Sequence, residues 1–545
     1  MNTFSVCGNL VSLREGKIFP ATIWVKDGYI AKIEQQPEAI YNQYLLPGFI
    51  DAHVHIESSL LVPSEFARLA TVHGTVACVS DPHEIANVLG LTGIRFMVAE
   101  GKQTPFKIAF GAPSCVPATD FETAGAKLSA TQIQELFEQD KLLYLSEMMN
   151  FPGVLNNEPE ICQKIHIAHH LGLSVDGHAP GLRGQEAYQY ASAGISTEHE
   201  CFTLSEAHDK LAAGMKILIR EGSAAKNYHA LHPLIASHPN QCMFCSDDKH
   251  PHDLVKGHIN DLVKRSVDLG YELMDVLKIA CLNPVEHYHL PVGLLCLGDP
   301  ADFIVVDNLR NFKVQRTYCQ GILAAEEGKA LLPSRAVQPI NFFATTTKTE
   351  ADFYLASKGS TVRVIEVYDG QLLTREKFFS SPISDGAIVS DIDRDLLKLV
   401  SINRYRDKPP ALALVHNFGL KSGAIASSIA HDSHNILAVG TTDKELCQAV
   451  NGVIEHKGGL AVAAGNSVSV LPLPIAGLMS DRDGYEVARD YGELDRLAKQ
   501  LGSNLSAPFM ALSFLALLVI PDLKLSDRGL FHVKDFDFVS LFVNK

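Results

Sequence analysis

The sequence predicts an α/β fold built on a (β/α)8 barrel, and three observations predict it. Short apolar runs alternate with amphipathic helical stretches between about residues 46 and 290, which gives eight strand–helix units in about 245 residues. A doubly wound open sheet would need a Gly-rich phosphate turn to suggest a nucleotide, and the chain has no GxGxxG or Walker A motif. Polar residues cluster just after the apolar runs, at the strand ends where barrel active sites are built.

The predicted strands are Leu45–Ile50, Thr75–Val79, Lys107–Phe110, Leu142–Leu145, Leu173–Val175, Ile195–Thr197, Met215–Ile219 and Cys242–Phe244. The predicted helices are Ser64–Val72, Leu91–Gly101, Thr131–Gln139, Glu158–His170, Gln185–Ala193, Leu204–Ala213, Ala230–Ser237 and a long one from Leu262 to Ala280. Residues 1–44 look strand-like, with turns at Gly16-Lys17 and Asp27-Gly28, and residues 293–330 look similar. The expected organisation is a small β-sheet domain from residues 1–45 plus 290–335, a catalytic barrel over 46–289, and a C-terminal α+β domain over 340–545 that covers the barrel mouth.

Composition narrows the functional classes. The chain has 545 residues and a net charge of −15, which argues against a nucleic-acid or anionic-membrane partner. Met1 to Leu10 lack a basic stretch followed by an apolar one, so no signal peptide is expected. The apolar run Phe509–Ile520, bracketed by Pro508 and Pro521, is too short to span a bilayer and reads as buried core. Eleven scattered cysteines fit free thiols in a reducing cytoplasm.

The stretch Leu46-Pro47-Gly48-Phe49-Ile50-Asp51-Ala52-His53-Val54-His55 ends a strand in a His-x-His pair. Side chains on a strand alternate faces, so His53 and His55 project to one side and can chelate one divalent metal. The later strands end in Asp81-Pro82-His83-Glu84, Ser146-Glu147, Asp176-Gly177-His178, Glu198-His199-Glu200, Arg220-Glu221-Gly222-Ser223 and Ser246-Asp247-Asp248. Each alone could merely cap a loop. Four histidines (His53, His55, His178, His199) and two carboxylates (Glu147, Asp247) on one rim suit a pair of divalent ions. Glu147 is the natural bridge, and Asp247 the natural acceptor of a proton from the attacking water. The plain alternative for Asp247 is a helix N-cap, which Asp248 would fill equally well.

Longer stretches carry a resemblance. Pro47 to Ser59, Asp81-Pro82-His83-Glu84-Ile85-Ala86-Asn87-Val88, Arg220 to Ala225, His431-Asp432-Ser433-His434-Asn435 and Leu471 to Met479 together resemble the bacterial adenine deaminase family of the amidohydrolase superfamily, over about residue 1 to Ser540. Many members of the superfamily carry a carboxylated lysine on strand four, whereas this branch uses glutamate, as Glu147 does here. Asn150 stands where the family pattern has Asp.

The resemblance implies a metallo-dependent hydrolase that removes the 6-amino group of adenine to give hypoxanthine and ammonia. It implies two divalent metals per site, Mn²⁺ or Fe²⁺ with Zn²⁺ also accommodated, a small-molecule substrate and a homo-oligomer. Asp247 would move the proton of the water to the departing amine. Glu84, with His83 beside it, would protonate ring nitrogen N1 once burial raises its pKa. Arg220, Glu221 and Ser223 would hydrogen-bond the purine edge, and Gly222 would let backbone approach the base. Their plain alternative is a loop network. His431, Asp432 and His434 would form a lid over the barrel mouth, or hold an accessory metal with His83 or Glu84; otherwise they form an internal polar network. Cys242-Met243-Phe244-Cys245 and His55-Ile56-Glu57 mimic the zinc signature of cytidine-type deaminases, but residues three apart on a strand face opposite ways. The rival functions are another metallohydrolase of the superfamily, a cyclic amidase or N-deacetylase, and a non-catalytic scaffold.

Overall fold

Eight short parallel strands close into a barrel: β1 (Phe49–Val54), β2 (Thr75–Ser80), β3 (Lys107–Phe110), β4 (Tyr144–Met148), β5 (Ser174–Gly177), β6 (Thr197–Glu198), β7 (Lys216–Arg220) and β8 (Cys242–Cys245). The structure, a computed structural model, describes residues 3–543; residues 1–2 and 544–545, the outer ends of the 1–45 and 340–545 segments, lie outside it. Parallel ladders join β1–β2–β3, β4–β5 and β6–β7–β8. Three backbone bonds complete the ring: Ala112 N–H to the Tyr144 carbonyl (2.8 Å), Ser196 N–H to the Val175 carbonyl (2.8 Å) and Asp247 N–H to the His53 carbonyl (2.9 Å). Closure leaves the barrel no free edge. Most strands are buried on both faces, which is why they read as continuous apolar runs rather than alternating ones.

Several expected boundaries shift. The run Leu45–Ile50 is two strands: Tyr44–Pro47 belongs to the flanking sheet and Phe49 starts β1. The chain changes sheets at Gly48, where a Cβ would lie 2.3 Å from both methyls of Val76. The long helix expected over Leu262–Ala280 stops at Asp268, because Gly270 takes φ +89°, and the chain resumes as Leu273–Leu277. Ala230–Ser237 divides into Tyr228–Leu231 and Leu234–Ser237 around Pro233. Among the helices not expected is His83–Leu89, which follows β2 directly.

The two flanks of the barrel pair with each other. Their eight-stranded sheet runs Lys329–Ala330, Ile322–Glu326, Val314–Cys319, Phe303–Val306, Tyr44–Pro47, Thr3–Ser12, Lys17–Lys26, Tyr29–Gln35. Its central join sets Phe303 opposite Pro47 and Val306 opposite Tyr44. A second eight-stranded sheet lies in the C-terminal part, and within it Ala424–Ser427 pairs with Ile436–Gly440. The eight-residue connection between these two strands, 428–435, is buried throughout and carries His431-Asp432-Ser433-His434-Asn435. Among the described residues no helix is long and apolar enough to cross a membrane.

Gly48→Ala is expected to destabilise the chain by about 1–3 kcal/mol, since neither Val76 nor the β1–β2 ladder can yield to the new methyl. A urea midpoint unchanged from wild type would contradict this.

Candidate active site

The strand ends converge on one buried cluster of nitrogen and oxygen donors. His53 Nε2 and His55 Nε2 lie 3.2 Å apart at the end of β1. Asp247, just beyond β8, places Oδ1 3.5 Å from His53 Nε2 and 3.2 Å from His55 Nε2. Glu147 on β4 sits at the centre. Its Oε1 is 3.3 Å from His55 Nε2, while its Oε2 is 2.9 Å from His178 Nδ1 and 3.1 Å from His199 Nε2. Each Glu147 oxygen therefore faces a different group of imidazoles. Two imidazole nitrogens turned toward each other between carboxylates form a donor set that fits divalent cations of intermediate hardness. The six residues expected as ligands are thus brought together. Asp248 borders the adjoining cavity and accepts from the Ser58 hydroxyl at 2.5 Å.

A second layer of contacts holds these donors in place. The buried Tyr190 hydroxyl donates to the Met148 carbonyl (2.7 Å) and accepts from the His178 N–H (3.1 Å), tying the end of β4 to the end of β5. The buried Lys210 ammonium pairs with Glu198 (3.0 Å) and Glu206 (3.1 Å) and donates to the Ala179 carbonyl (2.7 Å) beside His178. Asn227 donates to the His199 carbonyl at 2.9 Å. Asp51 receives the Ser246 N–H (2.9 Å) and His258 (2.8 Å), which docks the β8 end against β1. Asp247 itself takes φ +53°, a left-handed backbone that a non-glycine residue keeps only where its surroundings compel it.

Electrostatics decide the protonation states. Burial alone would raise the Glu147 carboxyl, but His178, His199 and His55 hold it well below the usual carboxylate range. Asp247 is likewise held well below against its burial, first by Arg220 and then by His53 and His55. Glu84 behaves contrary to the expectation. Burial would lift its carboxyl, but His431, His434 and His83 beside it hold it well below the usual range. Burial depresses His431, yet Glu84 raises it to about 9. The extra proton therefore resides on the imidazole rather than on the carboxyl.

The 428–435 connection accounts for this. His431 Nδ1 contacts Glu84 Oε1, and His434 Nε2 contacts Glu84 Oε2. His83 Nε2 lies 3.5 Å from Glu84 Oε1 and 3.7 Å from Asp432 Oδ1, while its Nδ1 bonds Asp81 at 2.9 Å. His431, Asp432 and His434 therefore meet the barrel at His83 and Glu84, on the unexpected helix after β2.

Above the donors lies a cavity of about 310 Å³, with a polar floor and an apolar roof of Met149, Leu372, Phe514, Leu517 and Ile520. The apolar run Phe509–Ile520, expected as plain core, thus supplies three of the five roof residues. Glu200 was not expected as a site residue. It lines the cavity, 3.4 Å from His199 Nε2, and its position two residues after β6 was the one available signal.

The expected purine-edge residues are engaged by partners of their own. Arg220 is fully buried and holds Glu200 and Asp247 (2.5 Å to Oδ2), with its Nε on the Ala225 carbonyl (2.8 Å). Glu221 pairs with Arg265 at 2.9 Å, and Ser223 donates to Asp253 at 2.7 Å. None of the three borders the cavity. Gly222 allows the β7 loop to pack on the β8 loop, where a Cβ would lie 2.6 Å from the Asp248 carbonyl. Asn150, the departure from the family pattern, caps the helix Phe151–Leu155 by accepting from Gly153 N–H at 2.9 Å. Cys242 and Cys245 are buried in separate apolar clusters, so the CxxC does not converge.

Comparison with known proteins places this geometry. The profile described as "Amidohydrolase family" matches residues 44–324, and that described as "Adenine deaminase C-terminal domain" matches residues 371–537. The chain is 54% identical over 544 residues to the adenine deaminase of Salinibacter ruber, covering 99% of both chains. The chain belongs to the adenine deaminase family. Other members are the Sulfurovum sp. adenine deaminase, 54% identical over 532 residues (97% of this chain, 98% of that one), and the Methanosarcina mazei adenine deaminase, 48% identical over 551 residues (99% of each). The two family-matched stretches meet at the cavity: the first carries the donors and the second carries His431, Leu372 and Phe514.

Tyr190→Phe removes the hydroxyl that ties β4 to the His178 backbone, and it should weaken metal retention about 10–100-fold. Metal content after dialysis against a graded chelator series checks this; a retention curve that overlays wild type would contradict it.

Proposed function

We propose that this chain hydrolyses the 6-amino group of adenine, releasing ammonia and leaving hypoxanthine. One observation carries the proposal: Asp247 and the Glu84–His431 pair border the same small cavity, so a proton acceptor and a proton donor both reach a substrate held there.

We assign His53, His55, Glu147, His178, His199 and Asp247 as ligands of two divalent cations. The mixed N/O set suits Mn²⁺ or Fe²⁺ and accommodates Zn²⁺. When bound, the cations supply a water whose pKa falls toward ~7. Arg220 holds Asp247 Oδ2, which leaves Oδ1, on the histidine side, to take the proton of the attacking water and return it to the leaving amine. As C6 becomes tetrahedral, N1 gains negative charge. Glu84 Oε1 passes to N1 the proton that His431 Nδ1 holds, so the acid is the pair rather than a neutral Glu84. Glu84 has an imidazole on each oxygen, which supports the lid role for His431, Asp432 and His434 over an accessory metal. The apolar roof excludes water and lies against the flat base.

The division into a small sheet domain (1–45 plus 290–335), a barrel (46–289) and a C-terminal unit (340–545) that covers the mouth is part of the same proposal. Its support is the contact of His431 and His434 with Glu84. We also propose a cytoplasmic homo-oligomer with no nucleic-acid or membrane partner. The net charge of −15 and cysteines that are all free support the setting.

Ammonia release from adenine, with added Mn²⁺ and with a chelator, tests the function. Asp247→Asn should lower kcat by at least about 10³-fold and Glu84→Gln by about 10²–10⁴-fold. Turnover of hydantoins or N-acetyl sugars in place of adenine would overturn the proposal in favour of another metallohydrolase. Metal-replete protein inert toward all three classes would favour a scaffold.

A further inference from the structure

Leu372 and Phe514 each border two spaces. On one side lies the cavity above the metal ligands. On the other lies a recess of about 240 Å³ whose walls include Asp369, Gln371 and Ser506. These two side chains, each 5% exposed, are the partition between the spaces. They come from separate segments, one following the strand Thr361–Glu366 and the other following the helix Pro508–Ser513.

One buried amine joins those segments. Lys524 is 0% exposed, and its amine donates to the Leu372 carbonyl (2.8 Å) and the Phe514 carbonyl (2.9 Å). Burying a lysine among carbonyls is costly unless the charge is well used. Here burial brings the Lys524 pKa down to about 7, and the amine, charged or neutral, donates to both carbonyls and draws the backbones of the partition together. Thr374 adds a second stitch. Its N–H donates to the Pro521 carbonyl (3.0 Å), its carbonyl accepts from Asp522 (3.1 Å) and its hydroxyl donates to the Leu523 carbonyl (2.8 Å). On the floor side Phe514 stacks on the His431 ring, with centroids 4.4 Å apart and planes at 16°. The partition is thus fastened to the imidazole that pairs with Glu84.

The orientation of the substrate gives this partition a task, and here the inference rests on the deamination proposed above. With C6 at the metal ligands, N9 lies at the opposite end of the fused rings and meets the apolar roof. A substituent on N9 would have to pass between Leu372 and Phe514 into the polar recess. We propose that Leu372 and Phe514 form a specificity gate that rejects N9-substituted 6-aminopurines, and that Lys524 is the positioning residue that keeps it shut. With the gate open, the recess offers Asp369, Gln371 and Ser506 to a polar N9 group.

The test compares kcat/KM for 9-methyladenine and for adenosine with that for adenine in the full-length, metal-loaded enzyme. Leu372→Ala widens the gate without touching the latch. Lys524→Met releases the latch, and Thr374→Val is a milder release should the first fail to fold. The ratio of N9-substituted to free base should rise at least about tenfold in Leu372→Ala and in the latch variant. General loss of structure would lower both activities and leave the ratio unmoved. An unchanged ratio in Leu372→Ala overturns the gate. A ratio that rises there but not in a folded latch variant overturns the role of Lys524. Wild-type enzyme that leaves adenine untouched fails the proposed function instead, and the two failures are distinct.

Discussion

The barrel mouth buries a ring of carboxylates, and most of the structure around it answers that burden. Asp81, Glu84, Glu147, Glu200, Asp247, Asp248 and Asp432 are all buried within this small region. Unpaired, each would be strongly destabilising in so dry a place. The chain meets the charge with cations of its own: Arg220 between Glu200 and Asp247, His83 against Asp81, and His431 against Glu84, whose second oxygen faces His434, an imidazole that burial keeps neutral. Glu147 is paired only with imidazoles, which keeps their nitrogens turned inward. That is the arrangement from which divalent cations draw their affinity. The electrostatic demand and the functional one are therefore met by the same side chains.

The same constraint explains why the C-terminal part is not separable from the site. Glu84 and His431 are 347 residues apart in sequence and touch in space. Without the 428–435 connection, Glu84 would be a buried carboxylate with only His83 for company, and burial would push its pKa upward rather than down. The connection is held as firmly as a strand: Arg404 N–H donates to the Asn435 side chain (3.1 Å), Asn435 donates to the Thr123 carbonyl (3.0 Å), and His431 N–H donates to the Ser513 carbonyl (3.2 Å). Phe514, one residue on, then carries the apolar roof. The Glu84–His431 pair and the roof are consequently set by one stretch of packing.

Much of the barrel was legible because a parallel strand buried on both faces is a bare apolar run, and such runs need little context to recognise. His53 and His55 were legible for a related reason: a period of two puts them on one face whatever the surroundings. Residues whose partners only the fold reveals share a different property. Arg220, Glu221 and Ser223 follow a strand as the clustered histidines and carboxylates do, and nothing local says that Arg220 turns to Glu200 and Asp247 while Glu221 turns to Arg265. Glu84 was recognised as a site residue but given the wrong charge, because its pKa depends on imidazoles from a remote segment. Phe514 looked like core because apolar residues that pack and apolar residues that line a cavity have the same composition.

By itself the sequence determined which residue types stand at the end of each strand, since strand periodicity and apolar content are local properties carried along the chain. It determined the overall fold class and the family. Only the tertiary structure decided which groups face one another: that Glu147 divides its two oxygens between two sets of histidines, that Arg220 serves Asp247, and that His431 holds the proton beside Glu84. The reason is physical. Coulomb energy and desolvation depend on distance and burial, and both are set by contacts between segments hundreds of residues apart.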